Sequence, residues 1–323
     1  MIRPRCWLST PGGAAGLAII EVRAPDAPGL THLLQSIGIR DVGVGHLRLR
    51  PMADIDTGLV ARWSETVCQL MPHGSRPVID AILKALQGAG CEVGGEDLLA
   101  RYPEAHDRID ACVLDAMAIA ASPAAIDVLL EHAQRWRGAS PDERAQATDH
   151  LRHLRDPARV VAIGAPNIGK SSLLNALAGR AASITADEPG TTRDHVGVTL
   201  DLGGVVVQWA DLPGWTRAEP DAIVAASQRA AATIAAAADV VVLCADGQQG
   251  WIEPEDAGCS KKATIIRCGL RADLGETSGA DLQTSAVEHR GLDMLAQAVR
   301  RAVLPRGAED RLWRFHPGLL ADR

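Results

Sequence analysis

The sequence lacks an excess of basic residues. Lys and Arg number 33 against 40 Asp and Glu, which gives a formal net charge of −7 and a pI near 5.8. A chain with this balance does not present the broad positive surface by which many proteins hold nucleic acid. We therefore expect any contact with RNA to be local or shared with a partner.

Paired cysteines and long apolar runs are also absent from the sequence. The seven cysteines are scattered and form no C-x-x-C pair, which is typical of reduced thiols rather than of a disulfide framework or a zinc site. The N-terminus has no apolar core of signal-peptide length. The longest apolar stretch, Ala230 to Ala245, is interrupted by Thr233 and Asp239, so no membrane span is predicted. These absences favour a cytoplasmic protein.

The chain of 323 residues is long enough for several domains. Residues 1–92 predict a small α+β domain, because strand-like segments precede a helix that opens at Pro77. Residues 93–157 predict a helical linker domain, 158–305 an α/β domain, and 306–323 a C-terminal tail. The strand-like segments of the first domain are Gly16–Arg23, Gly45–Arg50 and Leu59–Leu70, the last interrupted near Glu65.

The helical region is rich in alanine, leucine and charged residues. Predicted helices cover Asp110–Ile119 and Pro123–Trp136, and Ser140 is the predicted N-cap of a third. His150 and His153 are spaced i, i+3 on one predicted helix face. They are candidates for a metal site, but no third ligand is apparent, so solvated or capping histidines are the favoured interpretation.

A strand, a glycine-rich loop and a helix follow one another after Arg159. Val160 to Ile163 form an apolar run typical of a buried parallel strand, and Gly164 to Ser171 fit G-x-x-x-x-G-K-S. In this context the pattern predicts a phosphate-binding loop, because its N–H groups and the next helix N-terminus point at one anion. The residues predicted to bind nucleotide here are Asn167, Ile168, Gly169, Lys170, Ser171 and Ser172. A chance glycine turn before a helix is the alternative.

Two later segments supply the expected metal and γ-phosphate contacts. Pro189 to Asp194 (PGTTRD) form a polar loop in which Thr192 would complete a Mg²⁺ shell. Asp211-Leu212-Pro213-Gly214 ends an apolar strand, where Asp211 would hold Mg²⁺ through water and the Gly214 N–H would bond the γ-phosphate. By itself this segment is more typical of an ordinary β-turn, but its position after an apolar strand that follows the glycine-rich loop favours the nucleotide-binding interpretation. The predicted catalytic residues are Lys170, Thr192 and Gly214, and the predicted Mg²⁺ ligands are Ser171, Thr192 and Asp211.

The remainder of this domain alternates strands and helices. The predicted strands are Val196–Leu202, Val205–Trp209, Val240–Ala245 and Thr264–Cys268, and the predicted helices are Ala222–Ala237 and Leu292–Val303. Such alternation predicts a mostly parallel sheet with helices on both faces.

Base recognition is predicted from Asp273 and the pair Ser285 and Ala286. A carboxylate at Asp273 can accept from guanine N1–H and N2–H, which adenine does not offer. Backbone N–H groups of Ser285 and Ala286 are candidates for guanine O6. A loop aspartate that only caps a turn is the other reading of Asp273.

Together these residues resemble a known family. GAPNIGKSSLLNALAG, PGTTRD and the D-x-x-G turn resemble the Era-like and MnmE/TrmE branch of translation-associated GTPases. Thr10 to Gly13, Gly16 to Ile20, and His73-Gly74 followed by Pro77 to Ile79 resemble the folate-binding, dimerising domain of MnmE. The resemblance implies a P-loop GTPase domain that binds GTP or GDP with Mg²⁺.

The resemblance further implies a role in tRNA wobble-uridine modification. It implies an MnmG-like flavoprotein and tRNA as partners, a tetrahydrofolate derivative as one-carbon donor, and a homodimer through the N-terminal domain. It also implies K⁺ held by Asn167, together with carbonyls of the loop before Gly190.

The sequence departs from the family at several positions. The asparagine-lysine-x-aspartate base motif appears as Leu270 to Asp273 (LRAD), and Ala14 and Glu21 stand where the family has basic residues. In the family a glutamate twelve positions after the D-x-x-G aspartate orients the attacking water. Ile223 stands there, with Glu219 and Asp221 as candidate substitutes, so slow hydrolysis is expected.

The chain ends soon after this domain, without the family's second helical segment and terminal cysteine motif. Two hypotheses follow. One is a shortened MnmE-like GTPase, and the other is a nucleotide-responsive binding module that has lost the tRNA chemistry.

Overall fold

A computed structural model describes residues 3–10, 16–94, 98–102, 104–179, 197–215 and 222–320. These residues divide into two compact units, one ending at Arg101 and the other beginning at Tyr102. Each unit has its own sheet.

The first unit is a six-stranded sheet in the order β3-β4-β5-β2-β1-β6. All neighbouring strands are antiparallel except β1 and β6. Its elements are β1 (Arg5–Leu8), β2 (Ile20–Arg23), α1 (Ala27–Ser36), β3 (His46–Met52), β4 (Asp56–Arg62), β5 (Val67–Met71), α2 (Arg76–Gly88), β6 (Glu92–Val93) and α3 (Leu98–Arg101).

Helices α1 and α2 cover one face of this sheet. Alternate strand residues such as Val22, Val60 and Leu70 point into a core completed by Leu30 of α1 and Ile82 of α2. Since each fully buried aliphatic side chain stabilises the fold by about 1.5–3 kcal/mol, this core holds the unit together. The α+β character predicted for the N-terminal region is present, with α1 and β1 as elements that the sequence analysis did not predict.

The second unit contains a mostly parallel sheet in the order β12-β11-β10-β7-β9-β8. Only the β8–β9 pair is antiparallel. Its elements are α4 (Arg108–Ile119), α5 (Ala124–Gly138), α6 (Pro141–Gln146), β7 (Ala158–Gly164), α7 (Lys170–Ala178), β8 (Gly197–Asp201), β9 (Val206–Asp211), α8 (Ala222–Ala236), β10 (Val240–Ala245), β11 (Thr264–Gly269), β12 (Leu282–Gln283) and α9 (Leu292–Val303).

Helices lie on both faces of this sheet, as predicted. Helix α8 packs Ala231 and Ala235 against Val161 of β7 and Leu243 of β10, while α7 and α9 pack against β7, β10, β11 and each other. All six residues of β10 are buried. Because parallel strands end at one edge, the loops after β7, β9, β10 and β11 gather there, where open α/β sheets bind ligands.

The C-terminal segment packs against α4 and α5 in the same unit. The indole N–H of Trp136 donates to the Trp313 carbonyl at 2.7 Å, and His316 Nε2 lies 3.0 Å from Asp115 Oδ2. Thr148 and Trp313 form an isolated parallel bridge. Residues 308–320, which the sequence analysis described only as part of a C-terminal tail, therefore complete the packing of the helical region.

The structure also places the two histidines considered for a metal. His153 lies in a 3-10 turn, Arg152–Leu154, with Nε2 3.3 Å from Asp239 Oδ1, while His150 precedes that turn and contacts the Ala308 carbonyl. They do not share a helix face, because no α-helix forms there. Among the described residues, no three His, Cys, Asp or Glu side chains form a group able to hold a metal. Within the same residues, no helix is long and apolar enough to cross a bilayer.

Candidate nucleotide-binding site

The loop between β7 and α7 has the backbone that its glycines predict. Gly169 adopts φ +103°, a conformation that side-chain-bearing residues rarely take, and Asn167 adopts φ +60°. The loop thereby turns sharply, and α7 begins at Lys170. Its N-terminal N–H groups are available to an anion because a helix leaves its first four without partners.

Lys170 is a buried cation whose described hydrogen bonds go to neutral groups. Its side chain is 6% exposed, and Nζ donates to the Gly164 carbonyl at 3.2 Å and to the Ala165 carbonyl at 2.9 Å. Burial lowers the pKa of Lys170, and Cys244 and Asp211 partly offset that effect. A cation in this environment gains from an anionic ligand, which would stabilise its charge.

Ser171 and Asp211 form the part of the site that fits Mg²⁺. The Ser171 hydroxyl donates to Asp211 Oδ2 at 2.5 Å, although the two residues come from different elements. Asp211 Oδ1 is buried and finds no hydrogen-bond partner in the described chain. An orphaned carboxylate oxygen is costly, and a hydrated Mg²⁺ would satisfy it because this ion keeps most of its waters and takes few protein oxygens. The donor set therefore fits the predicted metal.

Gly214 brings the turn after β9 against the phosphate-binding loop. A Cβ at this position would lie 2.3 Å from Pro166 Cα, which only glycine avoids. The next residue, Trp215, donates its N–H to the Gly164 carbonyl at 3.0 Å. The two segments predicted to share the γ-phosphate are thus in direct contact.

These segments enclose one cavity of about 480 Å³. We call it the phosphate cavity. The predicted residues among those lining it are Asn167, Gly169, Lys170, Ser171, Ser172, Asp211 and Gly214. Thr192 and the whole PGTTRD segment lie outside the described residues.

A second cavity, of about 180 Å³, adjoins the first and shares Gly169, Ser172 and Arg271 with it. We call it the base cavity. Of the predicted residues, Ile168, Asp273 and Ala286 also line it, while Ser285 is buried beside it. The cavity lies at the ends of β11 and β12, as the base prediction required.

Asp273 is held in place by Ser285. The Ser285 hydroxyl donates to Asp273 Oδ1 at 2.5 Å, and this bond, helped by Arg290 and Arg271, lowers the pKa of Asp273. The Ser285 N–H is donated to the Arg290 carbonyl at 3.0 Å. Of the two backbone donors predicted for guanine O6, only that of Ala286 therefore remains.

Arg271 and Asp246 form a contact that the sequence analysis missed. Arg271 Nη1 donates to Asp246 Oδ2 at 3.2 Å, and its Nη2 donates to the Asn167 carbonyl. Asp246 is buried, and its other oxygen accepts from the N–H groups of Gln248 and Gln249. The pair ties the loop after β11 to the phosphate-binding loop. The sequence feature that could have revealed this contact is Asp246, which directly follows the buried strand β10.

Comparison with known proteins decides the family. Residues 159–267 match the family model described as 50S ribosome-binding GTPase. The tRNA modification GTPase MnmE of Acidiphilium cryptum is 43% identical over 159 residues, 48% of this chain and 36% of that protein. The MnmE of Methylorubrum populi is 30% identical over 352 residues, 89% of this chain and 78% of that protein. The chain belongs to the MnmE family.

Membership confirms the resemblance and the GTPase classification predicted from the sequence. The fold class is confirmed as well, since the sheet described above is a P-loop α/β sheet. Among solved structures, a tyrosine-to-alanine variant of Aquifex aeolicus Era bound to GDP.AlF4- matches 45% of this chain and 56% of that chain, at 22% identity and a TM-score of 0.36.

Two positions where the sequence departs from the MnmE pattern can be located. Ile223 lies in the first turn of α8, and Glu219 and Asp221 lie outside the described residues. Glu21 is a buried carboxylate on β2 that accepts from Arg23 Nε at 2.7 Å and from Gln69 Nε2 at 3.4 Å. Arg23 on the same strand neutralises the charge of this carboxylate, so Glu21 cannot supply the positive charge that a basic residue would offer at this position. The position therefore does not fit the anionic tail of a tetrahydrofolate derivative. Ala14 lies outside the described residues.

Proposed function

We propose that this protein binds GTP with Mg²⁺ through residues 158–305 and hydrolyses it slowly. In this proposal the reaction is part of tRNA wobble-uridine modification in the cytoplasm. The observation that carries the nucleotide proposal is the Ser171–Asp211 pair, in which a 2.5 Å hydrogen bond leaves the second carboxylate oxygen buried and unpartnered. Lys170 stands beside this pair as a buried cation.

The residues of the two cavities have separate tasks in this proposal. Lys170 neutralises the β- and γ-phosphate oxygens, and the Gly214 N–H donates to the γ-phosphate once the nucleotide is seated. Ser171 and Asp211 hold Mg²⁺, with Thr192 as a further ligand. Bound Mg²⁺ supplies positive charge to the phosphate oxygens as negative charge develops on them. Asp273 accepts from guanine N1–H and N2–H.

Lys170→Ala tests the nucleotide proposal. Loss of the cation should weaken GTP binding in Mg²⁺ by about 10- to 100-fold, since hydrogen bonds to charged groups are worth about 1.5–3 kcal/mol. Titration calorimetry with GTP, GDP and ATP measures it. Lys262→Ala, which removes a lysine on the exposed turn before β11, is the matched control. Equal GTP affinity of Lys170→Ala and the parent would refute the assignment.

The link to tRNA modification rests on family membership. In this proposal the partners are tRNA and an MnmG-like flavoprotein, and K⁺ is an activating ion held in part by Asn167. One observation supports the K⁺ assignment. The backbone carbonyl of Asn167 accepts a hydrogen bond from Arg271, while its side chain is exposed at the phosphate cavity, where its amide oxygen is available to a cation.

Nucleoside analysis of bulk tRNA tests that link. A strain without the gene should lose the modified wobble uridine, the parent gene should restore it, and the Lys170→Ala gene should not. Mass spectrometry of digested tRNA provides the measurement. Unchanged modification in the deletion strain would favour the alternative, a nucleotide-responsive binding module. The observation that supports this alternative is Ile223, which stands at the position of the water-orienting glutamate.

The proposal includes a homodimer formed by the N-terminal unit. Strand β3 is an edge of its sheet, and Leu47 and Leu49 on one face of that strand are 51% and 60% exposed. Unpaired edge strands with exposed apolar side chains associate readily with other chains. A second copy of this chain is the occupant that family membership favours.

A further inference from the structure

A cavity at the C-terminal end of α9 is lined by three arginines, Arg300, Arg301 and Arg306, and has a volume of about 240 Å³. Arg300 and Arg301 belong to the last turn of α9, and Arg306 follows the helix after Pro305. We call it the arginine cavity. It shares no lining residue with the phosphate cavity or the base cavity. It is therefore a separate site in the second unit.

The walls of the arginine cavity are held by contacts with other elements of this unit. Arg300 Nε donates to the Gly203 carbonyl at 3.1 Å, and Gly203 forms the turn between β8 and β9 with φ +67°. Glu309, which also lines the cavity, accepts at its backbone carbonyl from Arg135 Nη1 of α5 at 2.6 Å. The cavity is thus built between the β8–β9 turn, the end of α9 and the segment bound to α5.

The positive charges around this cavity are not neutralised by the protein. Across the part of the chain that the structure describes, the side chains of Arg301 and Arg306 form no ion pair or hydrogen bond, and that of Arg300 bonds only to a neutral carbonyl. A helix dipole favours cations in its last turn, which accounts for Arg300 and Arg301. Arg306 lies beyond the helix. Three like charges around one cavity repel one another, and an anion in the cavity would relieve that repulsion.

The cavity has the chemistry and the extent for a phosphate backbone. A guanidinium group stays charged and donates parallel N–H bonds that match the oxygens of a phosphate. A second cavity, of about 320 Å³, adjoins the first along α9 and shares Gln297 and Arg300 with it. A ligand that continues past one phosphate group therefore has room on this face of the helix.

The charge of the whole chain requires that any contact with RNA be local. The formal net charge is −7, so a broad basic surface is not available for a nucleic acid. We infer that the arginine cavity binds the phosphate backbone of RNA, with Arg301 and Arg306 as the cations that meet the phosphates. The inference rests on the proposed function for the identity of that RNA, a tRNA.

The salt dependence of tRNA binding tests this inference. Each cation that meets a phosphate displaces a counterion, so the slope of log K against log[KCl] becomes less steep by about 1 for each such cation removed. Arg301→Gln with Arg306→Gln should make the slope less steep by about 2 and weaken binding about tenfold. Fluorescence anisotropy of labelled tRNA with the full chain in Mg²⁺ measures both quantities.

Two further double variants separate a local contact from overall charge. Arg229→Gln with Lys262→Gln removes two charges from exposed positions on α8 and before β11, and should leave the slope unchanged. Arg301→Lys with Arg306→Lys keeps both charges but loses the forked donors, so the slope should persist while affinity falls. Thermal unfolding checks that each variant is folded, and the lysine variant still decides where the glutamine variant does not fold.

Three results would overturn the inference. They are an unchanged slope in the glutamine variant, an equal change in the control, and absence of tRNA binding by the unaltered chain. In the last case, calorimetric titration with inorganic phosphate shows whether the cavity takes a free anion instead. The GTP titration with Lys170→Ala tests the proposed function separately. Failure there, together with tRNA binding that depends on the arginines, would refute the nucleotide proposal and support this inference.

Discussion

Position 223 sets the expected rate of the proposed reaction. The residue twelve positions after Asp211 is an isoleucine, which neither accepts a proton nor orients a water molecule. Removal of a positioned acid–base or orienting group slows a reaction by about 10²–10⁴-fold. Glu219 and Asp221 precede α8 and are the carboxylates nearest in sequence that could take over this task. Bound GTP should therefore persist through many seconds unless one of them does.

Ile223→Glu should accelerate single-turnover GTP hydrolysis by about 10²-fold or more, because it restores a carboxylate at the orienting position. Val224→Glu, with the same charge one residue later, is the matched control and should leave the rate unchanged. The rates are measured in K⁺ and in Na⁺, with weak stimulation by K⁺ expected through Asn167.

Glu219→Ala and Asp221→Ala complete that experiment. A large drop in one of them would identify the substitute carboxylate. A fast unaltered chain that keeps its rate in both variants contradicts the account based on Ile223.

At the residue scale, the sequence predicts those contacts whose residues are placed together by their spacing in a motif or by the strand order of the sheet. Lys170 and Ser171 belong to one loop, and Asp211 ends the strand beside β7, so the parallel sheet brings them together. Arg271 with Asp246 could not be predicted in the same way. That contact depends on the conformation of two separate loops, including φ +53° at Arg271, which no spacing specifies.

At the element scale, segments that carry a local sequence signal were predictable. Strand β10 and helix α9 have the predicted bounds, because an unbroken apolar run and an i, i+3, i+7 apolar spacing specify them. The predicted N-cap at Ser140 also forms, and it is part of a capping box in which Ser140 and Glu143 bond reciprocally. These signals are local, so neighbouring residues suffice to produce them.

Helix α1 shows why the sequence analysis missed an element. Pro25, Pro28 and Gly29 surround its start and favour a turn, yet Asp26 caps the helix and accepts from the Gly29 N–H at 2.7 Å. Proline in the first turn costs little, because that N–H has no helical partner. Leu30, Leu33 and Leu34 then bury one helix face against the sheet. Tertiary burial outweighs the turn-forming residues here.

The C-terminal segment could not be predicted because distant partners hold it. Its hydrogen bonds join Trp136 to Trp313, His132 to Arg311 and Arg155 to Phe315, each across more than 150 residues. Contacts between residues so far apart in the sequence leave no periodic pattern in the local sequence from which they could be predicted. Truncation inside residues 308–320 would expose the buried Trp136 and Trp313 side chains, so this segment belongs to the fold of the second unit.

At the scale of the whole molecule, the two units divide the proposed tasks. The second unit holds both cavities and the family match to residues 159–267. The first unit contributes an edge strand with exposed leucines and a sheet whose buried Glu21 does not fit an anionic ligand. Self-association is therefore the task that the proposal gives to the first unit.

Charge introduced on the β3 edge should separate the proposed dimer. Leu47→Lys with Leu49→Lys places two cations on the exposed face of this strand, where like charges would meet across a symmetric interface. Multi-angle light scattering of the full chain should give a dimer mass for the parent and a monomer mass for the double variant. Leu130→Lys changes a leucine of similar exposure, 54%, on α5 of the second unit and should leave the dimer intact. A parent that stays monomeric at high concentration, or a double variant that stays dimeric, rules out this edge as the interface.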